Sequence, residues 1–246
     1  MARYDYRIQR LFVDAPLEAR SEIELSPTQS NYLRNVLRMP EGAKVLAFNG
    51  KDGEWQTSIV FKGKRQSVLR VVEQYRPQTP TNDLHYLFAP LKQARLDYMI
   101  QKAIEMGVGH LRPVLTEYTQ NHRINLDKVQ ASAVEAAQQC GILSLPNISP
   151  PRKLTDLLDD WDENQSIIFC DESDEGDNPI AILEGLNQPP SAVLIGPEGG
   201  FSENERTLLR SKSFVVPIPL GPRILRADTA AVASLSLIQA TRGDWV

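Results

Sequence analysis

The sequence predicts an α/β protein in two parts, a small β-rich N-terminal domain and a larger domain built on a mostly parallel sheet. Three observations carry this. From Leu11 to Val72, short apolar segments are separated by turn signals. From Leu84 onward, short apolar runs alternate with stretches of helical period. Between them, Arg76-Pro77-Gln78-Thr79-Pro80-Thr81-Asn82-Asp83 has no apolar side chain to anchor it, which is linker composition. The expected domains are therefore 1–76 and 77–246.

Within the first domain, Pro40-Glu41-Gly42, Asn49-Gly50 and Lys62-Gly63-Lys64 mark turns, and Trp55-Gln56-Thr57-Ser58-Ile59-Val60 alternates. This pattern predicts a small β-barrel or sandwich. One helix interrupts it: Ser26-Pro27-Thr28-Gln29 is a helix start, and Tyr32, Leu33, Val36 and Leu37 follow at helical spacing. In the second domain the spacing predicts strands from Leu84 to Ala89, Leu111 to Leu115, Ile167 to Cys170 and Val193 to Ile195. Helices are predicted from Leu96 to Met106 and from Leu126 to Cys140. Strands joined by such helices need crossover connections, hence a parallel sheet covered on both faces. In such sheets ligands bind beyond the carboxyl ends of the strands.

The chain has 246 residues, 41% hydrophobic and 24% charged, enough to bury a real core. Its longest apolar stretches, Ala192 to Ile195 and Phe214 to Pro219, fall far short of the roughly 20 residues of a membrane helix, so no span is expected. Met1 to Arg10 lacks the apolar core of a secretory signal, and a cytoplasmic protein is expected. Cys140 and Cys170 are too few for a disulfide framework, and neither has metal-ligand spacing with His85, His110 or His122; no metal is expected.

The net charge of −4 argues by itself against a nucleic-acid binder. Its distribution reverses that. Residues 1–76 hold 13 Lys and Arg against 9 Asp and Glu, whereas 155–184 hold 11 acids and no Lys or Arg. The acidity is a local, solvated face, and the basic first domain suits phosphate contact through Arg10, Arg34, Arg38, Lys62, Lys64 and Arg65; simple solubilising of a β-domain is the alternative.

The sharpest motif is Leu194-Ile195-Gly196-Pro197-Glu198-Gly199-Gly200-Phe201-Ser202-Glu203-Asn204-Glu205. A buried strand runs through a glycine turn into a helix opened by a Ser202/Glu205 capping box. Glycines there let backbone approach a ligand and leave amides free for polar groups; a ligand-free turn is the alternative. The order Gly-Pro-Glu-Gly-Gly fits neither the dinucleotide nor the Walker pattern. A second strand-turn-helix, Pro219-Leu220-Gly221-Pro222-Arg223-Ile224-Leu225-Arg226-Ala227-Asp228-Thr229-Ala230, sets two arginines around an apolar pair, as in a turn pressed against a core. Alanines at helical spacing from Glu135 to Gly141 suggest helix packing that includes Cys140.

These two blocks, with Gln101-Lys102-Ala103-Ile104-Glu105-Met106-Gly107-Val108 and Glu135-Ala136-Ala137-Gln138-Gln139-Cys140-Gly141, resemble the ribosomal RNA uridine-N3 methyltransferases called RsmE, of the SPOUT superfamily. The resemblance extends more weakly to Arg10-Leu11-Phe12, Val36-Leu37-Arg38 and Phe48-Asn49-Gly50. It implies a PUA-like RNA-binding β-barrel followed by a SPOUT domain whose trefoil knot holds S-adenosylmethionine bent, in a homodimer acting on small-subunit ribosomal RNA. By the same resemblance Gly196, Glu198, Gly199, Gly200, Leu220, Gly221, Ile224, Leu225, Thr229 and Ala230 line the cofactor pocket. Arg226 faces the base or its phosphate, and Arg223 joins the RNA contacts. The chain departs from the family pattern at Asp228 and Gln138, where Glu is usual, and at Ile142, which replaces a common Arg.

Methyl transfer is an in-line displacement governed by positioning. The N3 of uridine is protonated at neutral pH, so a base, or a cation stabilising the forming uridylate, must favour the deprotonated form. Arg226 is the expected cation, with Asp228 orienting it or accepting the proton. A SPOUT enzyme methylating a ribose 2′-hydroxyl of transfer RNA, a non-catalytic RNA-binding assembly factor and, more weakly, a nucleotide-dependent oxidoreductase remain open alternatives.

Overall fold

The computed structural model describes residues 7–171 and 178–246. Part of the acidic segment, 172–177, and the first six residues of the chain lie outside the described residues. The chain forms two compact units: one holds the chain up to Pro80 together with Ala137–Leu145, the other Thr81–Ala136 and Pro146–Val246. The first unit thus ends at Pro80 where the sequence placed a boundary at 76/77, and it takes in a short segment from the middle of the second half.

In the first unit, β1 (Gln9–Phe12), β2 (Glu22–Glu24), β3 (Lys44–Phe48), β4 (Glu54–Lys62) and β5 (Gln66–Arg76) make one sheet in the order β1-β3-β4-β5-β2. The pair β1–β3 is parallel and the others antiparallel. Its core includes Leu11, Ile23, Leu33, Val45, Ile59 and Leu69. The predicted helix is only α1 (Pro27–Asn31), opened by a Ser26/Gln29 capping box. It then widens into a π turn over Tyr32–Val36, where the Leu37 amide reaches the Tyr32 carbonyl at 2.9 Å. The left-handed backbone of Arg38, φ 53°, ends it.

Ala137–Leu145 belongs to this unit through apolar and polar contacts. Phe48, Ala137 and Leu143 form a small core with Phe12, Ile142 and Leu145. Gln138 Oε1 accepts from the Phe12 amide at 2.7 Å. Gln138 and Ile142 are therefore interior contacts of the first unit.

The second unit comprises β6 (His85–Phe88), α2 (Gln93–Glu105), β7 (His110–Leu115), α3 (Leu126–Cys140, whose last turn lies in the first unit), the two-residue strands β8 (Asn147–Ile148) and β9 (Arg152–Lys153), α4 (Leu154–Asp159), β10 (Ile167–Cys170), α5 (Pro179–Glu184), β11 (Ala192–Ile195), α6 (Glu203–Ser211), β12 (Val215–Ile218) and α7 (Ala227–Arg242). The sheet order is β12-β10-β11-β6-β7-β8, with β9 also on β7, and every pairing is parallel. Strands β6, β10 and β11 are buried throughout, as expected where both faces are covered. Leu87, Phe169 and Leu194 pack on one face with Leu157, Leu209 and Phe214, while α7 lies against β11, α2 and α5. No helix among the described residues is long and apolar enough to cross a membrane.

Candidate active site

Three strand ends build one site. Strand β11 leads into the turn Gly196–Gly200, closed by the Gly200 amide donating to the Pro197 carbonyl at 3.0 Å. Buried Phe201 anchors it, set edge-on against Phe169 with ring centroids 5.1 Å apart. Only glycine fits at 196, because a Cβ there would stand 2.5 Å from the Phe201 ring. The predicted capping box is present: Ser202 Oγ accepts from the Glu205 amide at 3.3 Å and Glu205 Oε2 from the Ser202 amide at 3.0 Å. Strand β12 turns through Gly221, φ 92°, into α7, whose N-cap residue is Arg226. Asp228 stands in the first turn of α7 and accepts from the Thr229 amide at 2.9 Å, where the helix dipole favours a carboxylate. Strand β10 contributes Cys170 and Asp171.

Between these loops lies a cavity of about 400 Å³, within the range that encloses a small cofactor. Of the expected cofactor residues, Gly196, Glu198, Gly199, Gly200, Leu220, Gly221, Ile224, Leu225 and Ala230 line it, as do Arg223 and Arg226. Thr229 and Asp228 are not part of its wall, and Thr229 is exposed. The turn is not pressed against a core as expected: Ile224 is 89% exposed and stands at the rim. The wall fits S-adenosylmethionine in kind, with glycine backbone for its polar groups and apolar Leu220 and Leu225 beside them.

Sequence reasoning missed Arg95, Cys170 and Asp171 on this wall. Arg95 pairs with Glu198. Buried Asp171 pairs with Arg206 and, at 2.8 Å, with Arg210. Burial pushes the Cys170 thiol up to about 12, despite a hydrogen bond with Ser234 that favours the thiolate, so it stays protonated at neutral pH and is no nucleophile. The signal for Cys170 and Asp171 was their place at the carboxyl end of a predicted buried strand; Arg95 had none, since it reaches the site across the fold. Cys140, expected in helix packing, is exposed.

The basic residues expected at RNA divide. Arg10 is 2% exposed; it pairs with buried Glu54 at 2.6 Å and donates to the carbonyls of Ala137, Gln138 and Ile142 at the end of α3. That burial removes it from any RNA-facing surface, a correction to the expectation. Arg34 stacks on Phe61 at 4.1 Å and donates to the carbonyls of Gly63 and Gln66, while Lys62 pairs with Glu22 at 3.3 Å. Arg38, Lys64 and Arg65 are exposed.

At the opposite, amino end of the sheet, Asp83, His85 and His110 bring ligand-type atoms within 4.8 Å of one another. The two imidazoles stack with centroids 4.1 Å apart, and both Nε2 atoms face Asp83 Oδ1, at 3.7 and 3.4 Å. Sequence spacing gave no sign of this cluster, because parallel pairing of β6 with β7 sets His85 beside His110.

The model of an RNA methyltransferase domain matches residues 77–239, and that of an RNA methyltransferase PUA domain matches 25–72. The ribosomal RNA small subunit methyltransferase E of Rickettsia conorii is 29% identical over 95% of this chain and 96% of its own length. The protein of the same name from Aquifex aeolicus is 30% identical over 71% of this chain and 76% of its own. A putative methyltransferase of Legionella pneumophila, solved with bound S-adenosylmethionine, superposes with a TM-score of 0.81 at 31% identity, covering 95% of this chain and 98% of that one. With both domain models matched in order and a cavity where three parallel strands end, the chain belongs to the ribosomal RNA small subunit methyltransferase E family.

Proposed function

We propose that this protein transfers a methyl group from S-adenosylmethionine to N3 of a uridine in small-subunit (16S) ribosomal RNA. The observation that carries the reading is the glycine-walled cavity at the ends of β10, β11 and β12, with Arg226 on its wall. The cofactor, when bound, supplies an electrophilic methyl group. The residues of the chain do the rest. Backbone of Gly196–Gly200 and Leu220–Gly221 shapes the cradle, and Ile224 and Leu225 give it an apolar rim. Arg226 stabilises the negative charge the uracil carries once N3 has given its proton to water, a charge consumed as N3 bonds to the methyl carbon and the carbon–sulfur bond breaks with its electron pair going to sulfur; this is a role for a preorganised cation. Asp228 lies off the wall with its carboxylate held by the Thr229 amide, which suits an orienting role more than proton acceptance. Arg38, Lys64 and Arg65 on the first unit, and Arg223 at the cavity, contact RNA phosphates. A homodimer working in the cytoplasm on an assembled subunit completes the reading.

The test is nucleoside mass spectrometry of small-subunit ribosomal RNA from cells lacking the gene, before and after their subunits are incubated with the purified protein and S-adenosylmethionine. The expected outcome is 3-methyluridine absent and then restored. A ribose-methylated nucleoside in its place identifies a 2′-hydroxyl enzyme, and no product at all overturns the assignment.

A further inference from the structure

The turn that walls the cofactor cavity has a second side. Pro197, Glu198 and Gly199 also line a shallow groove with Pro90, Leu91, Lys92, Tyr118, Gln120 and Asn121. We propose that this groove is a nucleotide subsite in which Tyr118 stacks on a base flanking the methylated one, with Lys92 at its phosphate. The proposal rests on the cavity being a site of RNA-base methylation, and it adds where the neighbouring nucleotide goes.

Tyr118 is 47% exposed, yet the turn that carries it is firmly built. Buried Thr116 and Thr119 share a hydroxyl hydrogen bond at 2.9 Å, and Thr119 Oγ1 also accepts from the Thr116 amide at 2.9 Å. The neighbouring Glu117 amide donates to Glu205 at 2.8 Å. Asn121 donates its side-chain amide to the Leu91 carbonyl at 3.1 Å. An aromatic ring offered to solvent on a turn held at three points is preorganised for stacking and loses little entropy on binding. The groove itself, about 20 Å³, is too shallow to enclose a base, so it offers a face and not a slot. Such faces suit single-stranded nucleic acid, since every base has a π surface. Position supports the same occupant: one turn of backbone separates groove from cavity, so a base presented at the mouth of the cavity has its neighbour in the strand within reach of the groove. Lys92 is exposed at the start of α2, and Arg95, a turn further, is held by Glu198.

The experiment compares Tyr118→Ala and Tyr118→Phe in the full-length protein, with fluorescence-anisotropy binding of a short single-stranded oligouridylate and calorimetric binding of S-adenosylmethionine. Alanine keeps the Cβ that touches Gly199, where a glycine-borne Cβ would lie 3.3 Å from it, so the cofactor turn is left in place. The expected result is about five-fold or greater weakening of oligonucleotide binding in the alanine variant, recovery in the phenylalanine variant and unchanged cofactor affinity in both. Wild-type affinity in Tyr118→Ala overturns the subsite. So does a phenylalanine variant as weak as alanine, which would assign the effect to the hydroxyl, or lost cofactor affinity, which would make Tyr118 part of the cofactor turn. Binding is read without turnover, so failure of the subsite and failure of the assigned reaction are separately visible.

Discussion

Arg226 occupies a position that few side chains could use: it caps α7 with extended backbone, φ −69° and ψ 152°, and so projects from the helix start onto the cavity wall. Arg226→Ala is expected to lower kcat/KM for methylation by about 100-fold to 1,000-fold, the cost of losing one preorganised charge-stabilising donor; steady-state kinetics with the RNA substrate read this. His85 makes a different prediction. Burial, and then the charges of Arg112 and His110, push its pKa down to about 4 from 6.5, with Asp83 pulling the other way. Between pH 6.5 and about 4 the unfolded chain takes up a proton that the folded chain refuses, so stability falls as pH drops through that window and this contribution levels off below it. His85→Phe keeps a ring against Trp161, which His85 meets edge-on at 5.5 Å. Its thermal midpoint is expected to fall less from pH 6.5 to 4 than that of wild type, as scanning calorimetry would show.

Elements place these residues by packing. The Gly196–Gly200 turn is held between a buried strand and a capped helix, and Phe201 is the pin. Gly196→Ala forces a methyl group into the Phe201 ring, which is itself fixed by Phe169. The expected cost is about 1–3 kcal/mol of stability, with a loss of S-adenosylmethionine affinity measurable by calorimetry. At Gly63, where a Cβ meets nothing within 4 Å, alanine pays only for a φ of 75°, and cofactor binding should be unchanged. The capping box at Ser202 and the helix start at Ser26 were legible because capping is local: donor and acceptor lie three residues apart. The π turn after α1 was not, since helical spacing of Tyr32, Leu33, Val36 and Leu37 fits a regular helix equally well.

At the scale of the whole chain, the unexpected feature is the nine-residue segment Ala137–Leu145 that joins the first unit. Buried Glu54 organises that unit, pairing with Arg10 at 2.6 Å and Arg76 at 2.7 Å, and both arginines also donate to carbonyls of the segment. Glu54→Gln removes the carboxylate that two guanidinium groups share, at an expected cost of about 3–5 kcal/mol, visible as a lower urea midpoint. Glu54→Asp should recover only part of it, because the shorter side chain cannot reach both partners.

The sequence by itself determined the α/β class, the parallel sheet, the ends of α3 and β10, and the two glycine turns that wall the cavity. Those properties follow from periodicity, buried apolar runs and turn chemistry, all set by residues near one another in the chain. Tertiary structure alone decided that Arg10 is a buried strut and not an RNA contact, that Arg95 reaches the cavity, that His85 meets His110, and that Tyr118 backs the cofactor turn. Each depends on parallel pairing or on contacts between residues tens of positions apart, and burial of a charge is fixed by partners that no local pattern reveals.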